Sequence, residues 1–284
     1  MSKLLFIIFQ YIVPQHYLSK FFGRLASSKN KKIKNYFITY FLKKHSINMS
    51  EALIEDPFEY ESFNSFFTRE LKPNARKVIA NNKTIISPVD GMISQIGEIK
   101  EGRIFQAKGK SFTLTDLLGK NKKIANEFDN GKFSTIYLAP KDYHRIHIPF
   151  SGTLRKMTYI PGDLFSVNPA TVNSVNNLFG RNERLVCIFD TINGPMAVVL
   201  VGAMIVNGIR VVWEKDVFQK KKKIQSWDYL SQNEKLTFLE KGNELGRFLL
   251  GSTVIICFPN NSIEWDKGIV KNSNVNMGQS LGSY

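Results

Sequence analysis

Cysteine is scarce in this chain: Cys187 and Cys257 are the only two in 284 residues, and each sits in an apolar run. That pair matches no zinc or redox spacing and argues against a secreted disulfide framework, so a reducing compartment fits better. Histidine is scarce as well, with four copies. No repeat of solenoid period occurs. The hydrolase elbow G-x-S-x-G is missing. A membrane-spanning helix needs roughly 20 apolar residues, and the first apolar run, Leu4 to Val13, is stopped short of that by Pro14, Gln15 and His16. Acid is absent from one whole end: between Met1 and Ser50 there are nine Lys or Arg residues, and the first Asp or Glu is Glu51.

The 43% hydrophobic content is enough for a sizeable core, in one large domain or one domain with appendages. A formal net charge of +15 implies an anionic partner, nucleic acid or the anionic face of a membrane. The distribution decides between them. In residues 1–50 the basic side chains interleave with Tyr17, Leu18, Phe21, Phe22, Tyr36, Phe37, Ile38, Tyr40 and Phe41. Basic, aromatic-rich helices of this kind suit the interface plane of a bilayer, where each Lys near an anionic surface contributes about 1 kcal/mol. A solvated nucleic-acid groove would carry fewer aliphatics, and no nucleic-acid motif is present. The bland reading is a helical cap with solvated lysines. A signal peptide is disfavoured because no A-x-A site follows the first run.

From about Thr84 the pattern turns to strands. Short apolar or alternating runs occur at Thr84–Ser87, Ile93–Ile99, Ser134–Ala139, Thr153–Ile160, Leu185–Phe189 and Met196–Val206, punctuated by Gly and Pro. Asn193-Gly194 predicts a hairpin, and Thr113–Leu118 a short capped helix. Lys220–Lys223 reads as an exposed loop, and the tail after Pro259 as irregular. The expected class is α+β, with N-terminal helices over residues 1–50 packed beside a mainly antiparallel β-rich core over 51–284.

Few residues are equipped for chemistry. His144 and His147 lie in Lys141-Asp-Tyr-His-Arg-Ile-His-Ile-Pro149. Two histidines three apart admit a metal reading, but no further ligand cluster accompanies them, so no metal is expected. Satisfied structural histidines are the bland alternative. Asp90, in Ser87-Pro-Val-Asp-Gly91, taken alone is a turn residue. Gly251-Ser252, in Leu250-Gly-Ser-Thr253, taken alone is a bulge or a close backbone approach in a strand.

Together these three segments resemble the phosphatidylserine decarboxylase proenzymes. Four further stretches resemble the same family: Lys108-Gly-Lys-Ser-Phe-Thr-Leu114 with Leu117-Leu-Gly119, Pro161-Gly-Asp-Leu-Phe-Ser-Val-Asn-Pro169, Asn177-Leu-Phe-Gly-Arg-Asn-Glu-Arg184, and Gly194-Pro-Met-Ala197 with Val201-Gly-Ala203. The resemblance runs in order from about Phe63 to Gly282.

It implies a pyruvoyl cofactor made from the chain itself. Ser252, a poor nucleophile unaided, would attack the Gly251 carbonyl, with His147 taking its proton and Asp90 stabilising the imidazolium. Glycine at 251 leaves that carbonyl open and tolerates unusual backbone angles. The ester formed would lose the Ser252 α-proton and eliminate. The large chain 1–251 would then carry a new carboxylate, and residue 252 would become dehydroalanine. Tautomerisation, water addition and loss of ammonia would leave a pyruvoyl group on the small chain 252–284. The ketone would form a Schiff base with phosphatidylserine and act as electron sink as carbon dioxide leaves. His144 would return the proton or polarise the adduct, and Phe165 and Ser166 would line the substrate pocket. The resemblance further implies that the two chains stay associated, that a homodimer is open, and that the protein sits peripherally on the cytoplasmic face of the cell membrane. Two rivals remain: a pyruvoyl decarboxylase of a soluble amino acid derivative, and a non-catalytic membrane-bound β-domain whose Gly251-Ser252 is structural.

Overall fold

The computed structural model describes residues 2–204, 208–214, 223–230, 237–249 and 251–284. Leu250 of the cleavage motif, Lys220–Lys222 of the basic run and Ile205–Asn207 lie outside them.

The N-terminal region forms three helices, α1 (Lys3–Ile12), α2 (Gln15–Ala26) and α3 (Lys31–Lys44). The Ser2 hydroxyl caps α1 by accepting from the Leu5 N–H, and Asn30 caps α3 by accepting from Lys32 and Ile33. Pro14 separates α1 from α2, and Val13 before it is extended, as a residue preceding proline prefers. Between this region and the first strand lies a short helix, α4 (Phe63–Phe67), which sequence reading missed. Helix α3 packs on it: Ile38, Tyr60, Phe63, Phe66 and Phe67 form one buried cluster with Phe37 and Phe41 against it. The Lys34 ammonium is buried there and donates to the carbonyls of Phe58 and Tyr60.

The remainder is strand-rich. In chain order it runs β1 (Thr84–Ile86), β2 (Gly91–Glu98), β3 (Arg103–Ala107), β4 (Lys110–Thr113), α5 (Leu114–Leu117), α6 (Lys122–Asn126), β5 (Lys132–Leu138), β6 (Arg145–His147), β7 (Gly152–Ile160), α7 (Pro169–Val172) and α8 (Leu178–Arg181). It continues with β8 (Arg184–Thr191), β9 (Gly194–Val201), β10 (Ile209–Val211), β11 (Gln225–Asp228), β12 (Phe238–Leu239), β13 (Glu244–Phe248), β14 (Ser252–Phe258), β15 (Glu264–Trp265), β16 (Asn274–Val275) and β17 (Ser280–Ser283). Among the described residues the main sheet has nine strands in the order β11-β7-β8-β9-β14-β5-β2-β16, with β12 also on β7. Its pairings are antiparallel. A smaller sheet orders β10-β13-β6, and another β1-β17-β15. The class is α+β and mainly antiparallel, as expected.

Strand β14 is buried along its whole length. Val254, Ile256 and Phe258 enter the core on one face of the sheet, and Ile255 and Cys257 the core on the other. Cys187 belongs to the first core and Cys257 to the second, so the two free thiols are separated by the sheet. The hairpin predicted at Asn193-Gly194 joins β8 to β9, with Thr191 opposite Gly194. The Met196–Val206 strand ends early, at Val201, because Gly202 turns away to donate to the Glu183 carbonyl. The tail expected to be irregular instead supplies β15, β16 and β17, the last two pairing with β2 and β1.

Gly91 opens β2 where no side chain fits: a Cβ there would lie 2.4 Å from the Tyr137 carbonyl oxygen, and backbone cannot give way as a flexible side chain does. Gly91→Ala is therefore expected to destabilise the fold by about 1–3 kcal/mol. Urea unfolding against the parent chain measures it.

Candidate active site

Strand register brings the candidate residues to one end of the main sheet. Ser252 opens β14 opposite Leu138, the last residue of β5. On the other side of β5, Met92 pairs with Tyr137, so Asp90 and Gly91 sit at the same end. The last residue of β9, Val201, lies opposite Thr253. Leaving β5, the chain turns at Ala139–Asp142, where the Ala139 N–H donates to the Asp142 carboxylate at 2.7 Å, and then carries Tyr143 and His144 into β6. Two backbone bonds close the arrangement. The Phe248 N–H donates to the His144 carbonyl (3.1 Å), tying His144 to the segment that leads into Ser252. The His147 N–H donates to the Pro88 carbonyl (2.8 Å), tying His147 to the turn that carries Asp90.

Ser252 is fully buried, and its hydroxyl has no hydrogen-bond partner among the described residues. Gly251 before it has φ +33°, in the left-handed region that favours glycine, and apart from its chain neighbours no atom of the described residues lies within 4 Å of where a Cβ would stand. The Gly251 carbonyl, the one the resemblance would have cleaved, thus belongs to a residue with open space beside it, next to a hydroxyl with no partner among the described residues. This suits conversion of residue 252 into a carbonyl group in place.

His144 is also fully buried, with its ring 4.0 Å from that of Phe67. Its Nδ1 lies 2.8 Å from the Asp142 carbonyl. A carbonyl only accepts, so Nδ1 carries the proton and Nε2 presents a bare lone pair. That Nε2 is buried and unpartnered. Burial pulls the imidazole pKa down to about 3, outweighing the bond to Asp142 that opposes it. Buried polar atoms are nearly always satisfied. The Ser252 hydroxyl on the main sheet and the His144 imidazole nitrogen, just before β6 of the neighbouring sheet, both lack a partner among the described residues, and together they mark a candidate place for chemistry.

His147 is held differently. Its Nδ1 donates to the Gly242 carbonyl at 2.7 Å, and its Nε2 lies 3.1 Å from the Tyr143 hydroxyl. Burial lowers its pKa, while the Gly242 bond and the charges of Glu244 and Asp90 oppose the fall. Asp90 accepts from the Arg76 guanidinium, at 2.6 Å from Nη2 and 2.9 Å from Nε, and from the Met277 N–H at 2.8 Å. Asp90 and Ser252 lie at one end of the main sheet, and His147, on β6 of the smaller sheet, is tied to the Asp90 turn through Pro88, but no hydrogen bond joins Asp90 to His147 or His147 to Ser252 here. Asp90 acts on His147 through space. Arg76 and Tyr143 were missed by sequence reading. Tyr143 stood inside a quoted motif, and Arg76 in a stretch that carried none.

Phe165 and Ser166 lie on a loop braced by the N-terminal helices. The Ser166 N–H donates to Gln10 Oε1 (2.7 Å), and Tyr11 meets the Phe165 ring edge-on at 4.9 Å. Asn182 bonds the Phe165 backbone and donates to the Gly202 carbonyl just past β9, linking this loop to the site end of the sheet. Phe165 itself is buried in the core and Ser166 is half-buried. Among the described residues no three His, Cys, Asp or Glu side chains group as a metal would require.

Burial holds both imidazole pKa values in the fold below 6.5, the value near which each binds a proton when unfolded. Below that pH the unfolded chain holds more protons, so their contribution to stability is complete above pH 6.5 and is lost as pH falls. For His144 the loss extends to about pH 3. Replacing it by Phe should flatten the acid limb by up to roughly 1.4 kcal/mol per pH unit. Urea midpoints of parent and variant between pH 4 and 7 test this, and identical slopes would refute it.

Residues 63–283 match the family model described as phosphatidylserine decarboxylase, and residues 5–46 match a second model named PSD. A protein of Alcanivorax borkumensis named phosphatidylserine decarboxylase proenzyme is 52% identical over 281 residues, covering 99% of this chain and 96% of that protein. One of Pseudomonas putida with the same name is 50% identical over 283 residues, covering 100% of this chain and 99% of that protein. With nearly the whole chain matched at this identity, the protein belongs to the phosphatidylserine decarboxylase family.

Proposed function

We propose that this chain is a proenzyme that cuts itself between Gly251 and Ser252 and then decarboxylates phosphatidylserine to phosphatidylethanolamine. The observation that carries the reading is the buried, unpartnered Ser252 hydroxyl beside a left-handed Gly251. Ser252 Oγ attacks the Gly251 carbonyl carbon, and the peptide nitrogen leaves as the acyl group moves to oxygen. His147 is the base and Asp90 stabilises its cation by charge. For His147 to take the proton, the Tyr143 hydroxyl at its Nε2 must relay it or give way. His144 supports a second reading of the base, favoured by its bare Nε2.

In the mature enzyme the pyruvoyl group at position 252 supplies the electron sink for decarboxylation. Its surroundings exclude water, because Ser252 opens a strand buried on both faces. His144 is the candidate to return the proton. With its pKa near 3 it is neutral before substrate binds, so an anionic substrate must first raise that value.

The large chain 1–251 and the small chain 252–284 stay together because β14 lies between β9 and β5 in the sheet. The small chain's Met277 also donates to the large chain's Asp90.

Residues 1–50 serve as the membrane-facing region, and 51–284 as the catalytic one. No helix among the described residues is long and apolar enough to cross a membrane. Helix α1 instead exposes Leu4, Leu5, Ile8, Phe9 and Ile12, a patch suited to the bilayer interface on the cytoplasmic face. Removing the whole region would be a poor test, since Gln10 and α3 are packed into the protein. Replacing Leu4, Leu5 and Ile8 with Ser should weaken sedimentation with anionic vesicles and leave self-cleavage intact. Unchanged sedimentation would refute the interfacial role.

Intact mass spectrometry tests the chemistry. The parent protein should give two chains, the smaller blocked at its N-terminus, and Ser252→Ala a single chain. Asp90→Asn and His147→Ala should cut more slowly, by roughly 100-fold or more for loss of a general base. His144→Ala should still cut yet fail on lipid; failure to cut would favour the second reading of the base. An intact parent chain that decarboxylates vesicle-borne phosphatidylserine would overturn the proposal.

A further inference from the structure

A cavity of about 430 Å³ lies beside the catalytic end of the sheet, between the foot of the N-terminal helices and the approach to the cleavage bond. Ser27 and Lys29, which link α2 to α3, form part of its wall, and Leu249 forms another part. Thr68 lines it one residue after Phe67, whose ring packs on His144. Its cations are Lys29, Arg69, Arg145, Arg210 and Arg247, against the acids Glu61 and Glu70.

Three of these cations are neutralised locally. Lys29 pairs with Glu61, Arg145 with Glu70 and Glu244, and Arg247 with Glu244. Among the described residues no carboxylate lies within salt-bridge distance of Arg69 or Arg210. Arg210 is exposed at the surface, where water solvates it. Arg69 is only 5% exposed. Its Nη2 donates to the Lys141 carbonyl at 3.3 Å, and its buried Nε has no partner. Burial lowers its pKa against the pull of more distant charges, the mark of a guanidinium whose lost hydration no anion replaces. A buried cation is normally paired. A buried arginine that lines a cavity with no carboxylate paired to it among the described residues is therefore a site for an oxyanion supplied from outside the chain.

We propose that this cavity receives the phosphodiester of the phospholipid headgroup, with Arg69 as its buried cation and Arg210 at its mouth. The assignment rests on the phosphatidylserine reading above. The substrate's carboxylate is the other anion to consider, and the chemistry argues against it. A guanidinium on the carboxylate would stabilise the ground state, whereas in the transition state that charge is leaving into the electron sink. The phosphodiester keeps its charge from substrate to product, so binding it there anchors the headgroup without opposing the reaction.

The test compares the parent with Arg69→Gln, Arg69→Lys and Arg210→Ala. Self-cleavage, which needs no lipid, should proceed in all of them and certify the fold. On dispersed short-chain phosphatidylserine, Arg69→Gln should raise KM by about 10- to 100-fold, the range for a lost charge-assisted hydrogen bond, with kcat changed far less. Arg69→Lys should recover part of that loss. Inorganic phosphate should inhibit the parent competitively and raise its melting temperature, and Arg69→Gln should abolish both effects. An unchanged KM in self-cleaved Arg69→Gln overturns the proposal, even where inorganic phosphate still binds, because the cavity would then hold free phosphate and not the headgroup. If Arg69→Gln fails to cut itself, Arg210→Ala carries the test: a several-fold rise in KM supports the proposal and an unchanged KM overturns it. If the parent itself does not turn over phosphatidylserine, the functional reading fails separately. Phosphate-dependent melting, present in the parent and lost in Arg69→Gln, then still supports an oxyanion site, and its absence from the parent removes it.

Discussion

Antiparallel pairing holds β14 on both edges, to β9 and to β5, while its side chains fill the cores on the two faces of the sheet. Everything else about the site follows from that placement. A strand so held would not drift if the peptide bond before it were broken as proposed, so a new end at residue 252 would stay where Ser252 stood. The same pairing sets Ser252 opposite the end of β5, from which the chain turns directly to the two histidines. Because the strand is buried along its length, the hydroxyl at its start sits in surroundings of low polarity, which strengthen any charge interaction there.

Desolvation tunes the histidines, and backbone carbonyls orient them. Each has Nδ1 anchored to a carbonyl, Asp142 for His144 and Gly242 for His147, which directs the reactive lone pair to Nε2. They differ in what meets that lone pair: Tyr143 for His147, and no partner among the described residues for His144. The local charge balance is arranged around them at a distance. Asp90 is held by Arg76, which also pairs with Glu51, so the acid is fixed in place and acts on His147 as a field.

Strong alternation and turn chemistry made the long strands legible: β5, β7, β8 and β9 coincide with apolar runs, and the β8–β9 hairpin with Asn193-Gly194. What escaped was short or dependent on distant partners. Strand β6 is three residues long, and all three are buried, so it shows no alternation. Helix α4 is buried at four of its five positions and leaves no polar face to reveal a period. The tail strands are polar and rich in Asn, Ser and Gly, and they become strands only because β1 and β2 offer free edges. In the site, Asp90, His144, His147 and Ser252 were legible through motifs taken in register, since each alone was ordinary. The carbonyl of Gly242 could not be found that way, because a backbone acceptor has no residue signature. Nor could the unpartnered Nε of Arg69, which only a three-dimensional inventory of donors reveals.

The position of β14 has a bearing on time as well as on space. It follows β2, β5 and β9 in the chain, yet it fills the gap between β5 and β9, a non-local insertion of the kind that comes slowly in folding. Until it inserts, the main sheet is two separate halves and Ser252 has no neighbours. On the proposed chemistry, a chain severed after Gly251 would be one whose sheet had already closed, and the cut would stand as a permanent record that folding was completed.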